Sequence, residues 1–393
     1  MHIGRAKKTS ISRVILLYCV ALTAAIAFGL SVGVVPWMMF SANLGLGLIG
    51  ITVGAYAAGG ITARLALGRL VNRQPPTSIL PLAATVLFTS ILLYLLPFDF
   101  WWLAKAVQGA ATATIYMVVF GWAGRSASAE QRSMRLGMLG AFVSFPAVIC
   151  PVVGVELARY TNGYVLAAAL GSAGIALLSA GLLTLTKDDA FELKPPSESG
   201  GRAGLPWLSM AALILATAPL GVFESLMPLI SGRLPSMNPG ALYFAFGVAL
   251  ALGRLLGGWA SGRFGAGYMS GIGGLLSAIC LLAGASSGLA NHSAIILASS
   301  AGLTVGLTVS ALFADISNRT SNERQASTMG IAGIFHDAGI ASGAMLIGTA
   351  ASSPERAISL SGAAAIAIPL LLLASSDWRR ERDDRQMPRP PAR

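Results

Sequence analysis

Twelve apolar segments follow one another along this 393-residue chain, at approximately 14–36, 45–67, 78–98, 101–122, 135–158, 163–186, 206–231, 240–261, 268–288, 293–315, 326–350 and 357–376. About 20 helical residues are enough to cross the roughly 30 Å of hydrocarbon in a bilayer. Inside that layer no water completes the backbone hydrogen bonds, so a segment of this length must satisfy them internally, as a helix. The composition agrees: 55% of residues are hydrophobic, 11% are charged, and the mean hydropathy is +0.71. A soluble domain carries about 25% charged residues. The expected fold class is therefore an all-α membrane protein with twelve transmembrane helices.

A repeat divides the twelve into two sixes. The stretch Arg64-Leu65-Ala66-Leu67-Gly68-Arg69-Leu70-Val71-Asn72-Arg73 lies over Arg254-Leu255-Leu256-Gly257-Gly258-Trp259-Ala260-Ser261-Gly262-Arg263, 190 residues later. Each ends an apolar segment in a short basic turn, which reads as one bundle duplicated. The longest polar interval, from Lys187 to Leu205, is rich in Pro, Ser, Gly and charge and falls between segments six and seven. The expected organisation is an N-terminal six-helix bundle over 1–186, a flexible cytoplasmic linker over 187–205, a pseudo-symmetric C-terminal bundle over 206–376, and a disordered charged tail over 377–393.

Net charge is +11, but the basic residues punctuate apolar segments instead of forming one patch, which argues for membrane orientation and against nucleic acid. With the N-terminus placed in the cytoplasm, 21 of the 27 Lys and Arg fall on the cytoplasmic side, three outside (Arg159, Arg233, Arg356) and three within spans. The apolar run from Val14 to Val35 is too long for a signal-peptide core and reads as a retained first span. Cys19, Cys150 and Cys280 all sit in apolar stretches and read as small fillers. Tyr94, Phe98, Phe100, Trp101 and Trp102 read as an interfacial belt.

Several short motifs give the pattern a family. The first turn, Gly68-Arg69-Leu70-Val71-Asn72-Arg73-Gln74-Pro75-Pro76, resembles the G-x-L-x-D-R-x-G-R turn between spans two and three of the major facilitator superfamily. Gly, Leu and Arg match, Asn72 replaces the Asp, and prolines replace the final Gly-Arg. Lys105-Ala106-Val107-Gln108-Gly109 resembles that family's span-four motif, with Lys for Arg. Cys150-Pro151-Val152-Val153-Gly154-Val155 resembles the span-five motif of its drug-type antiporters, keeping Pro151 and Gly154. The stretches LIGITVGAYAAGGITARLALGRL, QGAATATIYM and FHDAGIASGAMLIG are similar to exporters of opine metallophores such as staphylopine. The resemblance implies alternating access, with Gly68, Arg69, Asn72, Arg73, Pro151, Gly154, Gly258 and Arg263 in motifs that govern conformation. The uncharged Asn72 would weaken the cytoplasmic lock.

Charges inside the spans carry the chemistry, because each costs at least ~2.5–3.5 kcal/mol at the bilayer centre. They are Arg64, Lys105, Glu156, Glu224, Arg254, His336 and Asp337. Glu156 lies near an outer end and sees water. Arg64 and Arg254 line a cavity or snorkel to the interface on their long stems; the same choice holds for Lys105. Asp337 lies eleven residues into its segment, about 16 Å deep, where no carboxylate side chain reaches water. It is the best candidate for a proton carrier, with Glu224 and His336 next. Consecutive helix residues point about 100° apart, so His336 and Asp337 are expected not to pair. Arg64, Lys105 and Arg254 are the candidate substrate-binding cations and suit carboxylates.

No nucleotide-binding, metal-binding or nucleophile motif is present in the sequence, so a transporter driven by an ion gradient is expected rather than an enzyme, with no cofactor and no metal. The expected task is export of a small organic molecule by proton antiport, in a bacterial inner membrane, as a monomer. The expected partners are the substrate, protons and lipid. Import of small organic anions is the alternative, and a non-transporting sensor or scaffold on the same fold is the alternative of another class. The charge bias makes one measurement decisive. A cysteine placed at Ser197 in intact cells should stay unlabelled by an impermeant thiol reagent added outside; labelling there would invert the topology.

Overall fold

The computed structural model describes residues 11–125, 129–160, 162–185, 206–232, 238–286, 291–320, 325–347 and 353–373. Among them the chain forms twelve long helices and no strand: α1 (Ile11–Ser41), α2 (Leu46–Arg73), α3 (Pro76–Leu92), α4 (Trp101–Arg125), α5 (Ala129–Tyr160), α6 (Asn162–Leu185), α7 (Trp207–Gly232), α8 (Pro239–Phe264), α9 (Ala266–Ser286), α10 (Asn291–Asn318), α11 (Gln325–Ser342) and α12 (Pro354–Leu373). A π-helical turn, Gly343–Ile347, continues α11. Each expected apolar segment becomes one helix, and nine contain a stretch long and apolar enough to cross a membrane. The expected linker, 187–205, and tail, 377–393, lie outside the described residues.

Several helices, among them α1, α2, α5 and α10, run past their apolar segments, because backbone bonding does not stop where hydrophobicity does, whereas α3 stops at Leu92, short of the expected 98. The largest consequence is at the repeated motif. Gly68 to Arg73 is not a turn but the last turns of α2, and the connection to α3 is only Gln74 and Pro75. The Gln74 amide closes the helix on the Leu70 carbonyl at 3.0 Å. Pro75 and Pro76 then start α3, where a missing N–H costs nothing. The second copy ends α8 the same way, with one residue before α9. That residue is Gly265, at φ 95°, a backbone conformation that suits glycine.

The packing repeats along with the sequence. In the first half α2 packs on α4, α1 on α5 and α6, and α3 on α4 and α6. In the second, α8 packs on α10, α7 on α11 and α12, and α9 on α10 and α12. Every pair is the first set moved on by six helices. Each half has its own apolar core, one holding Leu17, Leu80, Leu87, Ile115 and Leu183, the other Met210, Phe223, Leu281, Leu312 and Ile368. The halves meet where α2 crosses α11 and α5 crosses α8, with α7 also touching α1 and α2.

The α2–α4 contact rests on two glycines. A Cβ on Gly59 would run into the backbone of Ala106, and one on Gly109 into the carbonyl of Tyr56. Small residues let membrane helices approach this closely. The two Gly faces therefore bring the Tyr56 side of α2 against the Lys105 side of α4. By contrast, a Cβ on Gly68 would meet open space. Gly109→Val should lower the melting temperature of the purified protein in detergent, through overpacking that costs about 1–3 kcal/mol, while Gly68→Ala should not. Equal melting of the two variants would mean that α2 and α4 can separate there without penalty.

Candidate functional site

Three of the span charges, Arg64, His336 and Asp337, meet at the interface between the two bundles. Arg64 lies four residues before the end of the apolar span Leu46–Gly68, and Asp337 lies twelve residues into α11. The Arg64 guanidinium donates to one carboxylate oxygen of Asp337 and, at 2.8 Å, to the backbone carbonyl of Gly333. Both side chains are only 18% exposed. This ion pair joins α2 of the first bundle to α11 of the second. Gly60, one turn before Arg64, keeps the space that the Asp337 carboxylate occupies: a Cβ there would lie 3.2 Å from it.

His336 does pair with Asp337, against the expectation drawn from helix geometry. Its Nδ1 lies 3.2 Å from the second carboxylate oxygen. Neighbouring Cβ atoms diverge, but both side chains are half-buried in one space, and with one carboxylate oxygen taken by Arg64 the other lies within reach of the imidazole. The backbone beneath them is pinned to α7, where the Thr217 hydroxyl donates to the His336 carbonyl at 3.0 Å. Asp337 thus has a cation on one side and a titratable ring on the other.

Lys105 does not snorkel, although it is only four residues into α4. It is 2% exposed and faces the bundle interior. Its ammonium donates to Ser31 at 2.9 Å and lies 5.9 Å from the centre of the Phe28 ring and 5.7 Å from that of Tyr56. The two rings are stacked at 4.4 Å, so they form one aromatic wall against the cation. Ser31 passes the contact on to the Gln108 side-chain carbonyl at 3.0 Å, which also accepts from the Tyr94 hydroxyl at 3.1 Å. Glu224 lies on α7, where its backbone carbonyl accepts from the Tyr243 hydroxyl of α8 at 3.3 Å. Arg254 is half-buried on α8.

The other expected residues fall elsewhere. Pro151 and Gly154 face α1 within the first bundle: the Pro151 carbonyl approaches Gly33, and Gly154 sits 2.9 Å, measured from where its Cβ would be, from the Leu30 carbonyl. Glu156 lies 3.6 Å from Arg159 near the end of α5. Arg263 is exposed at the end of α8, over the Phe264 ring, and Gly258 faces open space. The side chains of Arg69, Asn72 and Arg73 lie outside the described set. The aromatic belt divides. Phe100 and Trp102 face outward, whereas Tyr94 and Trp101 turn in, Trp101 donating to the Leu96 carbonyl at 3.0 Å.

The sequence reading missed two groups. Ser31, Phe28 and Tyr56 complete the Lys105 knot, and only the three-residue spacing of Lys105 and Gln108 hinted that one face of α4 was polar. Asp315 was also missed. It is 2% exposed near the end of α10, receives the Ser209 hydroxyl at 2.5 Å and lies 3.0 Å from the Arg319 Nε. Its four-residue spacing to Arg319 was the available signal. No three or more His, Cys, Asp or Glu converge as a metal site among the described residues.

The inter-bundle pair can be tested by reversal. Arg64→Gln strands the Asp337 carboxylate and should lower the melting temperature. The double change Arg64→Asp with Asp337→Arg should recover part of that loss, corresponding to a coupling of about 0.5–3 kcal/mol. Strictly additive effects would show that the pair holds nothing together.

Residues 17–344 match the family described as the Major Facilitator Superfamily. No curated protein matches the chain. Among solved structures, a bacterial homologue of the human lysosomal transporter Spinster, in an inward-facing and unoccupied conformation, aligns over 98% of this chain and 100% of its own with a TM-score of 0.72 and 15% identity. The nucleoside transporter NupG aligns over 92% of this chain and 99% of its own, with a TM-score of 0.70 and 10% identity. At these identities the likeness is one of fold, and it is the same twelve helices in two bundles. With a family match over most of its length, the chain belongs to the major facilitator superfamily and is a membrane transporter, not an enzyme.

Proposed function

We propose that this transporter exports a small organic molecule bearing carboxylates by proton antiport, with Asp337 as the proton carrier. The observation that carries the reading is the Arg64–Asp337 pair, which bridges the two bundles where α2 crosses α11. While Asp337 is ionised, it ties α11 to α2. A proton on Asp337 removes the attraction, so the bundles can part there and the site can open to the other side. His336 hands protons to or from the same carboxylate through its 3.2 Å contact. Glu224 on α7 is the second titratable acid within a span. Arg64, Lys105 and Arg254 supply the positive field for the substrate. The helix ends at Gly68, Arg69, Asn72 and Arg73, and at Gly258 and Arg263, belong to the cytoplasmic side and act on conformation. Pro151 and Gly154 set the packing of α5, which rocks with the first bundle. A metallophore of the opine type meets the carboxylate requirement.

A second reading, proton-coupled import of small organic anions, is favoured by one feature of the same pair. Arg64 and Asp337 neutralise each other, so a proton on Asp337 leaves Arg64 free for an anion, and the two then move together.

Proteoliposomes with an imposed pH gradient separate these readings. The wild-type protein should move substrate uphill, against the proton flow for antiport and with it for import. Asp337→Asn keeps size and hydrogen bonding but cannot release a proton. It should still exchange substrate at equal concentrations and fail to accumulate it. Uphill transport that survives Asp337→Asn and disappears in Glu224→Gln would move the carrier to α7. Survival in both and in the double variant would remove proton coupling from these acids.

A further inference from the structure

The two bundles touch closely at one end of the molecule and part towards the other. Short connections make successive helices run in alternate directions. The starts of α2 and α8 and the ends of α5 and α11 therefore share one end, the outer end in the topology expected from the charge bias. On the α2–α11 seam a Cβ on Gly54 would run into the Met345 side chain and lie 3.2 Å from the Ala341 carbonyl. On the α5–α8 seam a Cβ on Gly240 would lie 2.9 Å from the Glu156 Oε1 and 3.3 Å from Val152, and one on Gly247 would lie 3.2 Å from Val148. Towards the opposite end the same seams open. Gly68 lies about one turn beyond Arg64 on α2, and Gly330 about one turn before Gly333 on α11. A Cβ on either would meet nothing within 4 Å among the described residues. The same holds for Gly258, three turns beyond Gly247 on one face of α8.

Two side chains make the outer contacts, one from each bundle. Met345 lies in the π-helical turn that continues α11, a rare geometry found mostly at functional sites. This end of α11 is fixed to α7 of its own bundle: Cβ atoms on Gly343 and Gly221 would run into the carbonyls of Ala218 and Ile340. Met345 is thus carried by the second bundle and reaches α2 of the first. Its unbranched thioether fills the irregular hollow over a residue without a Cβ. Glu156 is carried by α5 of the first bundle and reaches the first turn of α8. Its Oε1 is buried and has no hydrogen-bond partner among the described residues. The Gly240 amide donates to the Asn238 side chain at 2.7 Å, so the carboxylate acts on this helix end through its charge, which the positive N-terminal end attracts. Arg159, on its own helix, lies 3.6 Å away.

We propose that Met345 and Glu156 are the two halves of the outer gate. Met345 on Gly54 closes the α2–α11 seam, and Glu156 on the first turn of α8 closes the α5–α8 seam. Each side chain crosses from one bundle to a glycine of the other, so both contacts break when the outer ends separate. The gate lies apart from the Arg64–Asp337 pair, and it holds whichever ion or substrate the protein carries.

The test uses the full-length protein in intact cells, with Cys19, Cys150 and Cys280 changed to Ser. The reporter is Ala341→Cys, at a half-buried position one turn inside Met345. An impermeant maleimide added outside should label this thiol slowly. Met345→Ala should speed labelling by about tenfold or more, whereas Met345→Leu should keep it slow. Glu156→Gln should speed it by about two- to fivefold. Unchanged labelling in both Met345→Ala and Glu156→Gln overturns the proposal. Labelling from the cytoplasmic side alone also overturns it, because the gate would then lie at the wrong face. Cross-linking decides the matter if the reporter variants do not fold. Gly54→Cys with Met345→Cys should form a disulfide on mild oxidation at least tenfold faster than Gly68→Cys with Gly330→Cys, a difference of about 1.4 kcal/mol in barrier. Equal rates for the two pairs would show that the seams are no closer at the outer end.

Discussion

A charge inside a bilayer must find an opposite charge, a set of dipoles or water, and much of this structure is arranged around that demand. Three solutions are visible. Asp315 is held within the second bundle by Ser209 and Arg319. Lys105 is held within the first by Ser31 and the Phe28–Tyr56 wall. The Arg64–Asp337 pair is different in kind, because its two members belong to different bundles. A bond inside a rigid body stabilises that body in every conformation. A bond between two bodies favours the arrangements in which they touch, which makes it a natural place for a proton to act.

The scaffold that places these charges is built by close backbone approach. Lipid tails are as apolar as Leu, so helices in a membrane gain little from hydrophobicity and much from packing. Gly59 and Gly109 let α2 and α4 lie backbone to backbone, and the Tyr56 ring is thereby brought over Lys105. Gly60 does the same for the Asp337 carboxylate against α2. The glycines that look like filler in an apolar sequence therefore set the electrostatics of the interface. Duplication then supplies the frame twice, with α2 on α4 in one half and α8 on α10 in the other.

The twelve helices, the six-plus-six division and the repeat were legible in the sequence. Each is a local property: a run of about 20 apolar residues has only one way to satisfy its backbone in lipid, and a repeat needs no partner to be seen. The presence of ionisable residues within spans was equally plain, since charge in an apolar run needs no geometry to detect. The extent of helices was less so. The basic motif at Gly68–Arg73 reads as a turn because apolarity ends there, yet the backbone continues to bond to Arg73.

Only the tertiary structure decided what each charge meets. Position along a helix gives depth but not the neighbour across a seam. Lys105, four residues from the start of α4, was left by depth alone between snorkelling and lining a cavity, and the α1 and α2 faces turned it inward. His336 and Asp337 were separated by helix geometry and joined by the shape of the space they share. Arg64 and Asp337 lie 273 positions apart in the chain, and their meeting follows from the way α11 crosses α2. The sequence by itself determined that this chain crosses a membrane as two related bundles with charges inside, because burial of backbone and side chain in lipid acts on every residue separately. Which charges face one another depends on how two bundles lie together, and no single segment contains that information.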